Sequence, residues 1–342
     1  MNSKTTILKA LRAPRAFLTG LVLFVAMAMG AQGVDLMPQF HGALRSRFEM
    51  DTRTGQERFQ VRNARLNIAG RVAQPIDYYV QADFCDRGKM KILDAWGRIA
   101  VSQRLKVQAG QFRIPFGTDC FKGPANYVFA NRAFLVKNMS NIRGVGAKLS
   151  YSYSWLTAEA GAFNPTSISD QERWVKSLAY AGKLRAHTGA WTFDLGAETV
   201  IPDSVRVKLL GGSATYSDSK LTVSGEYMYE HYTRSRHKDA HAWVVWGDYR
   251  IPAKVGVFNQ ASFQARWDGI TAHSSGKHVD GELITDTPAR QRATIGATLS
   301  YIKGPVHCDI RLDYEKYFYH NHYKPSNPDA DDKICAELVV RF

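Results

Sequence analysis

From residue 39 to the end of the chain, apolar and polar side chains alternate in segments of about ten residues. In residues 144–153, Val145, Ala147, Leu149, Tyr151 and Tyr153 fall on one face, and Gly146, Lys148, Ser150 and Ser152 on the other. Residues 220–231 set Leu221, Val223, Tyr227 and Tyr229 against Thr222, Ser224, Glu226 and Glu230, and residues 191–199 and 290–301 repeat the scheme. A period of two predicts strands with one apolar and one polar face. The count is about sixteen, with fourteen or eighteen also compatible, and residues 240–251 and 255–269 are the least regular.

Such strands suit a soluble sandwich, apolar inside, or a membrane barrel, apolar outside. Three features favour the barrel. Ten residues match a tilted strand that crosses a bilayer. Aromatics gather at segment ends (Tyr151, Tyr153, Trp155, Trp191, Trp243, Trp246, Tyr301, Tyr317) as interfacial girdles do. Connections alternate between short (near residues 102–103, 153–154, 216–219 and 303–304) and long (114–141, 164–175, 270–288 and 319–332), as in outer-membrane barrels with short periplasmic turns. The predicted fold is all-β, a transmembrane antiparallel β-barrel of about sixteen strands with both termini on the periplasmic side.

Before the strands lies one apolar run, residues 16–30, preceded by Lys4, Lys9, Arg12 and Arg15. A basic start, a short apolar core and a small-residue exit predict a secretory signal peptide over residues 1–33, with cleavage after Gly30 or Gly33. The remainder, 34–342, is expected to be one barrel. Removing the signal lowers the formal charge from +14 to +10, since residues 1–33 hold four basic and no acidic side chains. A secreted basic chain could bind nucleic acid, acidic polysaccharide or membrane, or conduct anions. The strand pattern disfavours nucleic acid.

Two stretches carry a family resemblance. Arg62-Asn63-Ala64-Arg65-Leu66-Asn67-Ile68-Ala69-Gly70 precedes Tyr78-Tyr79-Val80-Gln81-Ala82-Asp83-Phe84, and Leu93-Asp94-Ala95-Trp96 leads to Gly110-Gln111-Phe112-Arg113-Ile114-Pro115-Phe116-Gly117. This resembles the phosphate-selective porin O and P family, whose members share an R-x-A-R-L-x-x-x-G strand and a G-Q-F-K-x-P-F motif. Arg113 stands where that motif has lysine. The C-terminal stretch, ending at Phe342, resembles the aromatic strand that porins present to the barrel-assembly machinery. The resemblance implies an anion-conducting, often trimeric barrel in the Gram-negative outer membrane, surrounded by its lipids, with an inward loop and a ladder of arginines and lysines guiding phosphate. The loop at 114–141 is long enough to fold inward and carries Lys122, Arg132 and Lys137.

Alternation assigns side chains to the lumen. Phe40, Leu44, Phe48 and Met50 take the lipid face, so Arg45 and Arg47 point inward. The same reading sends Arg104, Lys106, Lys148, Arg206, Lys208, Arg266, Arg290, Arg292 and Arg311 inside. Arg62 and Arg65 differ in parity, so both face inward only across a bulge. Asp94, Asp194, Glu226, Asp309, Asp313 and Glu337 share the lumen. Cations spaced along a wall can partly replace an anion's hydration shell without trapping it. Arginine suits phosphate through its planar fork.

Of four cysteines, Cys85 and Cys120 are expected to form a disulfide at the outer end of the barrel, leaving Cys308 and Cys335 on opposite faces. No metal or cofactor motif is present; His320-Asn321-His322 and the acidic run 327–332 lack completing ligands. The expected function is passive diffusion of small anions such as phosphate. A general, weakly selective porin or a barrel enzyme is the alternative, although no histidine or carboxylate pair stands in a catalytic setting.

Overall fold

A computed structural model describes residues 36–342 apart from 87, 140–142, 202–205, 234–237, 276, 281 and 321–322. The expected signal segment, residues 1–33, lies outside the described residues, as do Asn321 and His322.

Sixteen antiparallel strands close into one barrel. In order they are β1 (Gln39–Asp51), β2 (Glu57–Ala73), β3 (Ile76–Asp86), β4 (Lys89–Ala100), β5 (Leu105–Arg113), β6 (Arg143–Tyr153), β7 (Leu156–Phe163) and β8 (Ala179–Thr188). The second half comprises β9 (Trp191–Val200), β10 (Val207–Ser217), β11 (Leu221–Tyr232), β12 (Ala240–Val255), β13 (Phe258–Ile270), β14 (Arg290–Lys303), β15 (Val306–Tyr319) and β16 (Lys333–Arg341). Each strand pairs with its sequence neighbours, and β1 closes on β16 through nine residue pairs from Ala43–Arg341 to Asp51–Lys333. Closure leaves no edge, so every ladder is satisfied without water, which is what a bilayer demands. One end carries turns of two to four residues and the other, the outer end, holds the long connections.

Alternation produces the outer wall. Leu149, Leu184, Leu195, Leu210, Phe263 and Ile295 are at least half exposed and face lipid, with Tyr153, Trp155 and Trp191 toward the short-turn end. Two aromatics expected in the girdle turn inward instead. Trp246 packs edge-on against Phe129, and Tyr317 against Phe134.

Residues 114–139 explain why. Gly110 (φ +128°) lets β5 lie against β4, where a Cβ would come within 2.3 Å of the Ala95 carbonyl oxygen. Gly117 (φ +74°) then turns the chain into the barrel, a conformation that costs other L residues about 1–2 kcal/mol. Beyond it Phe129, Phe134, Leu135, Val136 and Met139 form a cluster with Ala181, Leu209, Met228, Ala242, Val244 and Trp246 of the far wall. Part of the lumen is therefore a dry core. The inward parity of β10 and β12 follows from it: Val207 and Leu209, and Ala240 through Trp246 in alternation, face the loop.

The four cysteines are free thiols, so the expected Cys85–Cys120 bond is not formed. The loop carries Cys120 across the barrel from β3, where its thiol donates to the Phe116 carbonyl, while the Cys85 thiol points to Val61. The last hairpin pairs Cys308 with Val340 and Asp313 with Cys335, five positions out of register for the two thiols.

Candidate functional site

The inward loop is held at both ends by charged wall residues. On one side Lys183 donates to the Gly117 carbonyl, and Glu226 accepts from the amides of Thr118 (2.6 Å) and Asp119 (2.9 Å). The Thr118 hydroxyl donates to Asp194 (2.6 Å). Tyr127 bridges the loop internally, donating to Asp119 and accepting from the Ala133 amide (3.1 Å). Burial, reinforced by the Asp119 carboxylate, holds that phenol well above its ordinary pKa.

On the opposite side three successive carbonyls meet three groups of arginines. Arg45 (2.9 Å) and Arg47 take Ala130, Arg266 takes Asn131 (2.6 Å), and Arg292 takes Arg132 (2.7 Å). The amides on either side of this run are met by carboxylates: Asp313 accepts from Ala130 (2.6 Å) and Asp268 from Phe134 (2.9 Å). Buried backbone groups need partners, and here the wall supplies them with charge assistance. The arginines are themselves paired. Glu337 binds Arg45 (2.6 Å), Arg47 (2.9 Å) and Arg311 (2.8 Å), while Asp268 and Glu315 flank Arg292 at 2.9 and 3.1 Å.

The structure thus separates the cations that alternation grouped. Arg45, Arg47 and Arg292 clamp the loop. Lys148 pairs with Glu159, and Lys106 sits exposed near the short-turn end of the inward row. Arg290 covers Phe134 near the outer rim (4.8 Å). Within the loop, Lys122 pairs with Asp119 (3.1 Å) and lies over Trp246 (3.9 Å). Arg132 donates to the Lys122 carbonyl (3.1 Å), and Lys137 lies exposed on the short helix Phe134–Asn138.

Other positions differ from the alternation reading. Arg206 and Lys208 lie on the outer face, because Val207 and Leu209 are drawn inward onto the apolar cluster; Arg206 donates to Thr199 there (3.0 Å). Arg104 belongs to the turn before β5 and stacks over Tyr153 of the girdle (4.5 Å). A bulge does separate Arg62 from Arg65: the β1 pairing steps from Asn63 to Val61, leaving Arg62 as the extra residue, bound to Asp86 (2.8 Å).

Between loop residues 121–126 and a wall made by β1–β6 with β15 and β16 lies a cavity of about 510 Å³. Arg45, Arg65, Arg113, Arg143 and Arg341 line it, together with a single acidic side chain, Asp94. Arg143 grips Asp94 through two hydrogen bonds (3.0 and 3.1 Å), Arg65 binds Asp83 (2.8 Å), and Arg341 binds Asp309 (3.1 Å). Sequence reasoning omitted Arg143 from the pathway because it shares the parity of Val145, a lipid-facing residue; its length at the strand end lets it reach Asp94. Among the described residues no group of three or more His, Cys, Asp and Glu side chains could hold a metal ion.

The family model for phosphate-selective porin O and P matches residues 41–191, the stretch that holds the loop and most of this cavity's wall. No curated protein sequence matches the chain. Among solved structures, the anion-selective porin from Comamonas acidovorans shares the fold at a TM-score of 0.62 and 10% identity, covering 90% of this chain and 99% of that one. The outer-membrane channel DcaP of Acinetobacter baumannii is similar (TM-score 0.62, 11% identity, 89% and 97% covered). So is OmpT of Vibrio cholerae in its trimer form (0.59, 11%, 90% and 98%). The chain has the fold of the outer-membrane porins, and its residues 41–191 match the family model for phosphate-selective porin O and P.

Proposed function

We propose that this porin conducts small anions, phosphate or a related oxyanion, along the cavity between the loop and the wall of β1–β6, β15 and β16, and that it acts as a channel and not as an enzyme. The observation that carries the reading is the lining: five arginines against one acidic side chain. Three arginines also share Glu337 next to it, so positive charge stays in excess after pairing. Low-dielectric walls raise the field in such a slot, and partial neutralisation keeps each site weak enough to release an ion. The loop narrows the lumen and forces ions toward this wall. The anion selectivity of the Comamonas barrel and the family's description point the same way.

Planar-bilayer recording tests the proposal. Under a potassium chloride gradient the reversal potential takes the sign of chloride permeation, and added phosphate blocks the current. The double substitution Arg113→Gln with Arg143→Gln reduces the anion preference. A cation preference in the wild-type protein would overturn the reading. The second reading, a weakly selective porin, draws on the ion pairing of most lumen arginines; it requires a permeability ratio near one and no phosphate block. Native mass determination of the purified porin tests the homotrimer that the OmpT trimer form brings to mind.

A further inference from the structure

The outward parity of β10 exposes an arrangement on the lipid-facing wall of β8–β11. Cross-strand register lays its side chains out in rows. Nearest the outer rim stand Tyr180, Thr199, Lys208 and His231; below them Gly182, Ala197, Leu210 and Tyr229; below those Leu184, Leu195, Gly212 and Tyr227. Successive rows are about 7 Å apart along the strands. Glycine and alanine floor a trough whose sides are leucine and tyrosine. Two depressions make it up, about 780 and 690 Å³, and they share Gly182, Ala197, Leu210 and Tyr229. The upper one opens at Arg206, Lys208 and His231.

Cations on a lipid-facing wall need an anionic partner or water. His231 bonds to Asp239 (2.8 Å), but among the described residues no carboxylate pairs with Arg206 or Lys208. Lys208 is the second residue of its strand, at the top of an outward apolar band of about 25 Å, which is where lipid headgroups lie. A polar, positive head above a narrow apolar trough is complementary to one molecule class, an acylated lipid carrying phosphate.

We propose that this trough binds an acylated, phosphate-bearing lipid of the outer leaflet, its phosphate between Arg206 and Lys208 and one acyl chain laid along Gly182, Ala197 and Gly212. The site is separate from the ion pathway, since the strand wall and the apolar cluster stand between them. Native mass spectrometry of the mature barrel in detergent, titrated with bisphosphorylated lipid A and with the same lipid stripped of phosphate, tests it. The phosphorylated lipid is retained at least about tenfold more tightly. Arg206→Gln with Lys208→Gln abolishes that difference, Ala197→Phe weakens both lipids by filling the trough, and Lys254→Gln with Lys303→Gln at the short turns changes neither. Equal retention of the two lipids by the wild-type barrel overturns the proposal without recourse to any variant. Disulfide cross-linking of Leu210→Cys between two copies also overturns it, because a second chain would then cover the trough.

Discussion

At the scale of single residues, the lumen arginines divide by what surrounds them. Arg292 is 2% exposed, locked between Asp268 and Glu315 with the Arg132 carbonyl at its fork. Removing one partner of a buried pair leaves stranded charge and costs about 3–5 kcal/mol. Arg292→Met is therefore expected to lower the denaturant midpoint of the folded barrel sharply, read as loss of its heat-modifiable gel mobility. Arg58, which spans Glu49 and Asp329 with nearly half its side chain in solvent, makes pairs of the surface kind. Arg58→Met should shift stability by no more than about 1 kcal/mol. Equal effects from the two substitutions would show that Arg292 has access to water.

At the scale of elements, the loop and the strands it touches show what the sequence conveys and what it hides. The strand count, the closure and the lipid face of β1, β6 and β14 were legible because their lumen faces are polar, so period two reads cleanly. It fails at β10 and β12, whose inward residues face a dry cluster; Trp246 reads as girdle and Lys208 as lumen for that one reason. No local pattern announces which wall a loop will dry. The loop's entry can be probed at Gly117, where Gly117→Ala strains the turn and sets its Cβ 2.6 Å from Met228. Single-channel recordings of this variant should show larger and noisier conductance as the Lys183 and Glu226 contacts loosen; unchanged conductance would place the loop outside the ion path. The last outer connection predicts a pH dependence. Although burial raises Asp329, hydrogen bonding and charge from Arg58 hold it below the usual carboxylate range. A depressed carboxylate contributes stability that is complete above its unfolded value, about 3.9, and lost as pH falls through the folded one. Amide protection in residues 323–332, corrected for intrinsic exchange, should hold from pH 7 to 5 and fall below about pH 4. A loss centred near pH 6 would mean a histidine governs this connection.

At the scale of the whole molecule, the loop clamp joins the two ends of the chain to its middle. The Ala130 carbonyl is held by Arg45, 85 residues earlier in sequence, and Arg45 is held in turn by Glu337, 292 residues later. Such distant contacts form only after most of the loop-closure entropy has been spent. Until β16 arrives beside β1, Arg47 has only Glu49 (3.0 Å) and Arg45 lacks Glu337, so a loop docked on them would bury Arg45 without its carboxylate. Seam closure and loop docking are thus expected to occur together, with the final strand acting as the trigger. Glu337→Gln is expected to slow refolding into the heat-modifiable form and to leave residues 130–134 open to protease in whatever fraction has closed. A half-made barrel, on this view, keeps its lumen wet and wide until the last strand zips, and only then does the pore acquire its shape.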